Sequence, residues 1–374
     1  MSEPIRLVVA GGGTAGHISP MLAIADAVKA ENPEAQITAL GSPEGLETRL
    51  VPEAGYRLEL IPKAPLPRSL NADLLKFPVR FFKAVRRAKA VLRETQAEAL
   101  LGVGGYVCTP AYLAARSLGV PIIVHEANSI AGMANKVGAK NAAVVRTTFS
   151  NTGLPGEQVV GMPMRSNVAQ MDADALRDEA RDFFNVPRSG APVLVISGGS
   201  SGAASVNTAV ARALPALVEA GIQVVHVTGR DKAVRDEHGE LLSAPGYTQL
   251  EYLDRMDYGY AAADLMICRS GAGTVCELAV AGRPSILVPL PIGNGEQRLN
   301  ARDLMAAGGA LLVDDAKFTA DYIAQTVIPL LKDASTLKQM AAAAASQGHR
   351  DAAEQMARLI IDEVAGRRAA LKEG

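Results

Sequence analysis

The sequence predicts an α/β protein of two Rossmann-like domains, each a parallel sheet covered by helices. Three observations lead there. Short apolar runs alternate with helical stretches along the chain, the pattern of parallel sheets buried on both faces. At 374 residues the chain is too long for one ordinary core. The alternation also pauses once, over 148–192, where Asn151-Thr152-Gly153-Leu154-Pro155-Gly156 and Gly161-Met162-Pro163 lead into a charged stretch read as a helix near 172–184.

Before the pause the expected strands are 5–10, 36–40, 57–61, 99–103, 121–125 and 143–147. After it they are 192–197, 222–227, 249–253, 264–268, 285–288 and 310–313. The expected division is an N-terminal domain 1–162, a C-terminal domain 163–345 and a final segment 346–374. In that segment Ala353, Met356, Ile360 and Val364 share one helical face, and a terminal helix of this kind often crosses back to the first domain.

Composition narrows the function classes. A net charge of −1 gives no global field toward nucleic acid. Cys108, Cys268 and Cys276 are an odd number without metal spacing, and they read as reduced packing thiols of a cytosolic protein. Met1-Ser2-Glu3-Pro4 runs straight into a strand without the features of a signal peptide, and no apolar run approaches a membrane span.

The first strand, Ile5 to Ala10, enters Gly11-Gly12-Gly13-Thr14-Ala15-Gly16-His17 and then a helix. Such a turn aims backbone N–H groups and a helix N-terminus at one spot, which favours an anion. Gly11-x-Gly13-x-x-Gly16 fits the dinucleotide fingerprint, but that fingerprint also wants an acid at the end of the second strand. Here that strand ends Leu40-Gly41, and Glu44 lies past the turn, which disfavours an NAD enzyme. Two further strand-to-glycine turns follow, at Ser197-Gly198-Gly199-Ser200-Ser201-Gly202 and at Cys268-Arg269-Ser270-Gly271-Ala272-Gly273-Thr274. Turns at the C-terminal ends of strands are where open α/β sheets bind ligands, so a cleft holding a phosphate-bearing ligand is expected.

These turns, taken with His125-Glu126-Ala127-Asn128-Ser129-Ile130-Ala131-Gly132-Met133-Ala134-Asn135-Lys136 and Cys276-Glu277, resemble in order and spacing the bacterial peptidoglycan glycosyltransferases that make lipid II. The likeness runs from residue 5 past residue 300, and Pro289-Leu290-Pro291-Ile292-Gly293-Asn294-Gly295-Glu296-Gln297 looks like the actinobacterial form. It implies the B-type glycosyltransferase fold, with the two parallel sheets facing an inter-domain cleft, the acceptor on the N-terminal domain, the UDP-sugar on the C-terminal domain, and neither cofactor nor metal. The reaction implied is inverting transfer of N-acetylglucosamine from UDP-N-acetylglucosamine to the 4-hydroxyl of the muramoyl sugar of undecaprenyl-linked lipid I. Other cell-wall synthesis and division proteins are implied as partners, and nucleic acid is not.

Carried over by motif, Thr14, Ala15 and Gly16 lie near the donor diphosphate and the acceptor, and Asn128 touches the sugar hydroxyls. Arg165 lies on the nucleotide side, Ser200 binds a phosphate, and Leu253 sits beside the uracil. Ala272, Gly273 and Thr274 offer N–H groups to the diphosphate, Glu277 holds the ribose and Gln297 the sugar. The chain departs from many members at Met162, Ser201 and Glu296, where they carry Asn, Gln and Gln; Glu296 is therefore assigned no role.

A histidine with a near-neutral pKa suits the general base, which makes His17 the catalytic candidate, with another base or a purely orienting His17 as the alternative. The departing UDP then needs the helix N-terminus at Gly271–Thr274. Asp172-Ala173-Asp174 resembles a metal-binding Asp-x-Asp but opens a polar helix, so capping is the expected role. His125 reads as a structural histidine, and His226 and His238 carry no motif. Residues 63–93 hold nine basic residues and one acid. Phe77, Phe81 and Phe82 with Lys76, Arg80, Lys83 and Arg87 are expected to place a peripheral helix on an anionic membrane at its cytoplasmic side. The competing readings are a B-type enzyme acting on another lipid or small molecule, a UDP-N-acetylglucosamine isomerase, and a non-catalytic nucleotide-binding module.

Overall fold

The computed structural model describes residues 3–64, 72–188, 190–199 and 202–373. They form two compact units, one of Met1–Arg165 with Arg350–Gly374 and one of Ser166–His349.

In the first unit seven parallel strands lie in the order β3-β2-β1-β4-β5-β6-β7. They are β1 (Arg6–Ala10), β2 (Gln36–Gly41), β3 (Arg57–Leu60), β4 (Ala99–Gly102), β5 (Ile122–Glu126), β6 (Val144–Thr147) and β7 (Gln158–Val159). The connecting helices are α1 (Ala15–Glu31), α2 (Glu47–Glu53), α3 (Ala72–Glu94), α4 (Cys108–Leu118) and α5 (Met133–Ala139). The strands are apolar along their length because both faces are covered. Leu7 and Val9 of β1 pack with Ile18, Met21 and Ile24 of α1 and with Met356, Ile360 and Val364 of the C-terminal helix Ala352–Glu373. Val8 and Ala10 face the other way, onto Ala88 and Val91 of α3 and Ala111 and Tyr112 of α4. Ile360 is fully buried, and a change to Ala there costs about 2–5 kcal/mol.

The second unit begins with α6 (Ser166–Ala169) and α7 (Arg177–Phe183). Its six parallel strands are β8 (Val193–Ser197), β9 (Gln223–Val227), β10 (Tyr247–Leu250), β11 (Leu265–Cys268), β12 (Ser285–Leu287) and β13 (Ala310–Leu312). Their order is β10-β9-β8-β11-β12-β13. Helices α8 (Ala204–Glu219), α9 (Met256–Ala262) and α10 (Ala272–Ala281) follow β8, β10 and β11.

Three local readings change. The two-residue edge strand β7 has no periodicity to betray it. The strand expected at 249–253 lies at Tyr247–Leu250, set by pairing of Tyr247 with Val224, so Leu253 falls in the following turn and is buried. The helix expected over 172–184 is confined to Arg177–Phe183, because Asp172 first closes a turn, its Oδ1 accepting from Asp174 N (3.1 Å) and Ala175 N (3.0 Å).

Candidate active site

All strands of each sheet run parallel, so their C-terminal ends share one edge. In the first unit the connections from β1 and β4 depart in opposite directions from adjacent strands, which opens a crevice at that edge. The loops after β1, β4 and β5 converge there.

Thr14 ends the glycine turn in extended conformation, and its carbonyl accepts from His17 N (3.1 Å) and Ile18 N (3.2 Å), starting α1. Its hydroxyl lies 3.2 Å from His17 Nδ1 instead of capping the helix. His17 is half-buried. A Cβ on Gly104 would lie 3.0 Å from His17 Cδ2 and Nε2, so the imidazole rests on bare backbone. Gly104 and Gly105 have φ of +103° and +93°, a region that favours glycine, and a Cβ on Gly105 would strike the carbonyl oxygen of Gly12. When Nδ1–H donates to Thr14 Oγ1, the Nε2 lone pair remains for a substrate proton.

The loop after β5 is organised by Glu126, which is 2% exposed. Its carboxylate accepts from Asn128 N, Gly132 N and Asn135 Nδ2, each at 2.9 Å. Asn135 also donates to His125 O (3.1 Å) and accepts from Tyr112 Oη (2.8 Å). The Asn128 backbone is thereby fixed while its side chain stays half-exposed. His125 is structural: it is fully buried, its Nε2 lies 3.0 Å from Gly161 O, and burial pushes its pKa down to about 4.

In the second unit the corresponding crevice lies between β8 and β11. Gly271 is the N-cap of α10, and the first turn, which includes Ala272, Gly273 and Thr274, has no side-chain cap and no acid. Its N–H groups carry the positive end of the helix dipole. Glu277, one turn on, accepts from the buried Tyr260 hydroxyl at 2.5 Å. Its surroundings desolvate the carboxyl and push its pKa up, against the Tyr260 hydrogen bond. Arg269 fastens the next connection: it donates to Val288 O and Pro289 O (3.2 Å each) and to Ser205 Oγ (3.0 Å), and it pairs with Asp315. Gln297 Oε1 accepts from Leu290 N at 2.9 Å. Leu253 is 7% exposed and packs in the core.

Thr14, Gly16 and Arg165 are exposed. Ser200 and the side chains of Ala15 and Lys76 lie outside the described residues. On α3, Phe77 and Phe81 stack at 5.4 Å and lean on the core, whereas Val79 and Phe82 stand 59% and 67% exposed. Arg87 pairs with Glu59 (2.6 Å) and Glu94 (3.2 Å). The expected membrane-facing set therefore contracts, since two of its aromatics help cover the sheet and one of its cations is balanced. Lys83 remains exposed, and Arg80 is half-buried. Among the described residues no helix is long and apolar enough to cross a membrane, and no cluster of His, Cys, Asp and Glu is arranged to hold a metal ion.

The sequence reading gave no role to Glu47, Gly104, Gly105, Glu126, Arg269 or Tyr260. The Gly102-Val103-Gly104-Gly105 run was visible as a second strand-to-glycine turn of the first unit. The roles of Tyr260 and Arg269 depend on contacts between distant segments and had no local signal.

Two parallel-sheet units with glycine turns at their crevices are the architecture of the B-type glycosyltransferase fold. The Glycosyltransferase family 28 N-terminal domain matches residues 7–147, and the Glycosyltransferase family 28 C-terminal domain matches residues 193–356. The UDP-N-acetylglucosamine–N-acetylmuramyl-(pentapeptide) pyrophosphoryl-undecaprenol N-acetylglucosamine transferase of Paenarthrobacter aurescens strain TC1 is 52% identical over 97% of this chain and 97% of its own. The like-named protein of Nocardia farcinica strain IFM 10152 is 50% identical over 96% and 95%. The crystal structure of Acinetobacter baumannii MurG superposes with a TM-score of 0.77 at 28% identity, covering 96% of this chain and all of that one. The glycosyltransferase of kitacinnamycin, at 17% identity and a TM-score of 0.71, shares the fold. The chain belongs to the family of UDP-N-acetylglucosamine–N-acetylmuramyl-(pentapeptide) pyrophosphoryl-undecaprenol N-acetylglucosamine transferases.

Proposed function

We propose that this enzyme transfers N-acetylglucosamine from UDP-N-acetylglucosamine to the 4-hydroxyl of the muramoyl sugar of lipid I, with inversion, giving lipid II and UDP. The identity of half the residues over nearly the whole length of enzymes so named carries the reading. The side chains and amides at the two crevices are chemically suited to the roles the reaction needs.

His17 Nε2 takes the proton of the acceptor hydroxyl as its oxygen attacks C1 of the donor sugar. The C1–O bond to the diphosphate breaks with its electron pair leaving on UDP. Thr14 orients the ring through Nδ1. The first-turn amides of α10, Ala272 to Thr274, meet the charge that develops on the leaving diphosphate. Glu277 accepts from the ribose hydroxyls, and hydrogen bonds of that kind pull its raised pKa down again. Leu253 sits beside the uracil, Gln297 and Asn128 hold the donor sugar, and Arg165 lies on the nucleotide side. Ser200 completes the phosphate contacts. Tyr106, 49% exposed on the loop after β4, and Met133, 70% exposed at the start of α5, offer apolar surface to an amphiphilic acceptor. Val79, Phe82 and Lys83 of α3 rest on the anionic cytoplasmic leaflet that holds it.

The test is transfer of labelled N-acetylglucosamine to a lipid I analogue in the presence of EDTA. Lipid-linked product is expected. A folded enzyme that binds UDP and makes none contradicts the acceptor assignment.

A further inference from the structure

The glycine turn after β1 is already filled by an anion of the protein itself. Glu47, the first residue of α2, is completely buried. Its Oε1 accepts from Ser42 N (2.8 Å) and Ser42 Oγ (2.9 Å), and its Oε2 accepts from Gly13 N (3.1 Å). Three glycines make room for it. A Cβ on Gly12 would lie 2.7 Å from Oε1, one on Gly41 would lie 2.5 Å from Cγ, and one on Gly45 would overlap the carboxylate. Burial pulls the carboxyl upward, but hydrogen bonds from Ser42, from Glu47's own backbone and from Gly13 outweigh this and hold it below the ordinary range, so the group is ionised.

We propose that Glu47 is the positioning residue of the catalytic loop: its carboxylate clamps the Gly12–Gly13 turn to the end of β2 and thereby fixes Thr14 and His17 against Gly104. The inference rests on the reading of His17 as the base. The clamp joins residues 34 positions apart and lies one residue from Thr14, whose hydroxyl orients the imidazole. It also spends the Gly13 N–H on a protein carboxylate, so that amide is withdrawn from any phosphate. The fingerprint's missing acid after the second strand is thus present, three residues beyond Glu44, but it turns inward on the turn instead of outward to a ribose.

A glutamine at 47 keeps the volume and loses one acceptor. Its amide nitrogen must face either the Gly13 N–H or the Ser42 N–H, and either way sets donor against donor. Glu47→Gln is expected to lower kcat on the order of 100-fold, the scale of a misplaced catalytic group. KM for UDP-N-acetylglucosamine is expected to stay within about twofold, since the loss falls on the transition state. Glu47→Asp keeps the charge on a shorter arm and should restore part of kcat. Gly12→Ala drives a methyl into the carboxylate and should give the same phenotype. The double variant should be no worse than the worse single one, since both break one clamp. Hydrogen exchange at the Gly13 amide should speed up in Glu47→Gln while protection of β8 and β11 is unchanged.

Wild-type kcat in a folded Glu47→Gln enzyme overturns the proposal. So does a loss of kcat matched by loss of UDP affinity and of protection throughout the chain, because that is a general structural role. If the wild type transfers nothing, the functional reading fails and this role falls with it.

Discussion

The two units present nearly the same device, a parallel strand running through a glycine turn into a helix, and use it differently. After β1 the turn closes over the Glu47 carboxylate, and its Gly13 N–H is spent inside the protein. What it presents outward is a histidine. After β11 the turn leads into α10, whose first turn, like that of α1, has no side-chain cap and no acid, but among the described residues no carboxylate is bonded to the turn's amides, so they remain for a ligand's charge. In the proposed mechanism, one glycine motif thus seats the base and the other keeps its amides for an anion. Which chemistry a glycine turn serves depends on whether an internal acceptor reaches its amides, and that is set by a residue elsewhere in the chain.

Removing the base should break the comparison most severely. His17→Ala is expected to lower kcat by about 10²–10⁴, the usual range for a general base, with UDP affinity unchanged by calorimetry. Equal loss of UDP binding would move His17 to the donor side.

Each unit also buries one histidine inside its sheet, His125 on β5 and His226 on β9, and burial pushes each to about 4. His226 lies 3.0 Å from both Tyr247 Oη and Asn207 Oδ1. The folded pKa is below the unfolded value of 6.5, so the unfolded chain binds the proton first. Stability is full above about pH 6.5 and falls as the pH drops from there toward 4, by about 3 kcal/mol per histidine at most. Denaturant midpoints from pH 7.5 to 4.5 check this, and a flat profile for His226→Gln together with His125→Gln identifies the groups.

Gly273→Asp sharpens the comparison by giving the second turn the acid that the first already has. No atom lies within 4 Å of a Cβ there, so the change is sterically free. An acid in a first helical turn contributes about 0.3–1 kcal/mol of stability. It should nonetheless weaken UDP binding by roughly ten- to a hundredfold, because like charges about 4 Å apart oppose each other by about 4 kcal/mol before screening. Unchanged affinity would mean that the diphosphate lies elsewhere.

The smallest effect concerns α3. Phe82→Ser should reduce retention on anionic vesicles by about tenfold, the value of one interfacial aromatic. Arg87→Ala should change it by less than about twofold, because Glu59 and Glu94 already balance that charge. Equal effects would restore Arg87 to the membrane-facing set.

The alternation of strands and helices was legible because fully buried parallel strands are written as local apolar runs. β7 was not, since a two-residue edge strand is defined by its neighbour's hydrogen bonds. The glycine turns and His17 were likewise visible, but their surroundings were not. Glu47 carries no local signal, and only the tertiary structure places its carboxylate on Gly13 N. Tyr260 meets Glu277 across 17 residues, and Arg269 meets Asp315 across 46. Phe77 and Phe82 are chemically identical in the sequence, and the helix's rotation on its core decides which is exposed.

The most direct measurement is a UDP titration of the glycine-15N-labelled enzyme followed by amide NMR. The account predicts that the Gly273 resonance moves with UDP while Gly13 keeps both its position and its slow exchange. A Gly13 amide that shifts as strongly as Gly273 and loses its protection would mean that the first turn also opens to the diphosphate, contrary to the division of labour between the two turns.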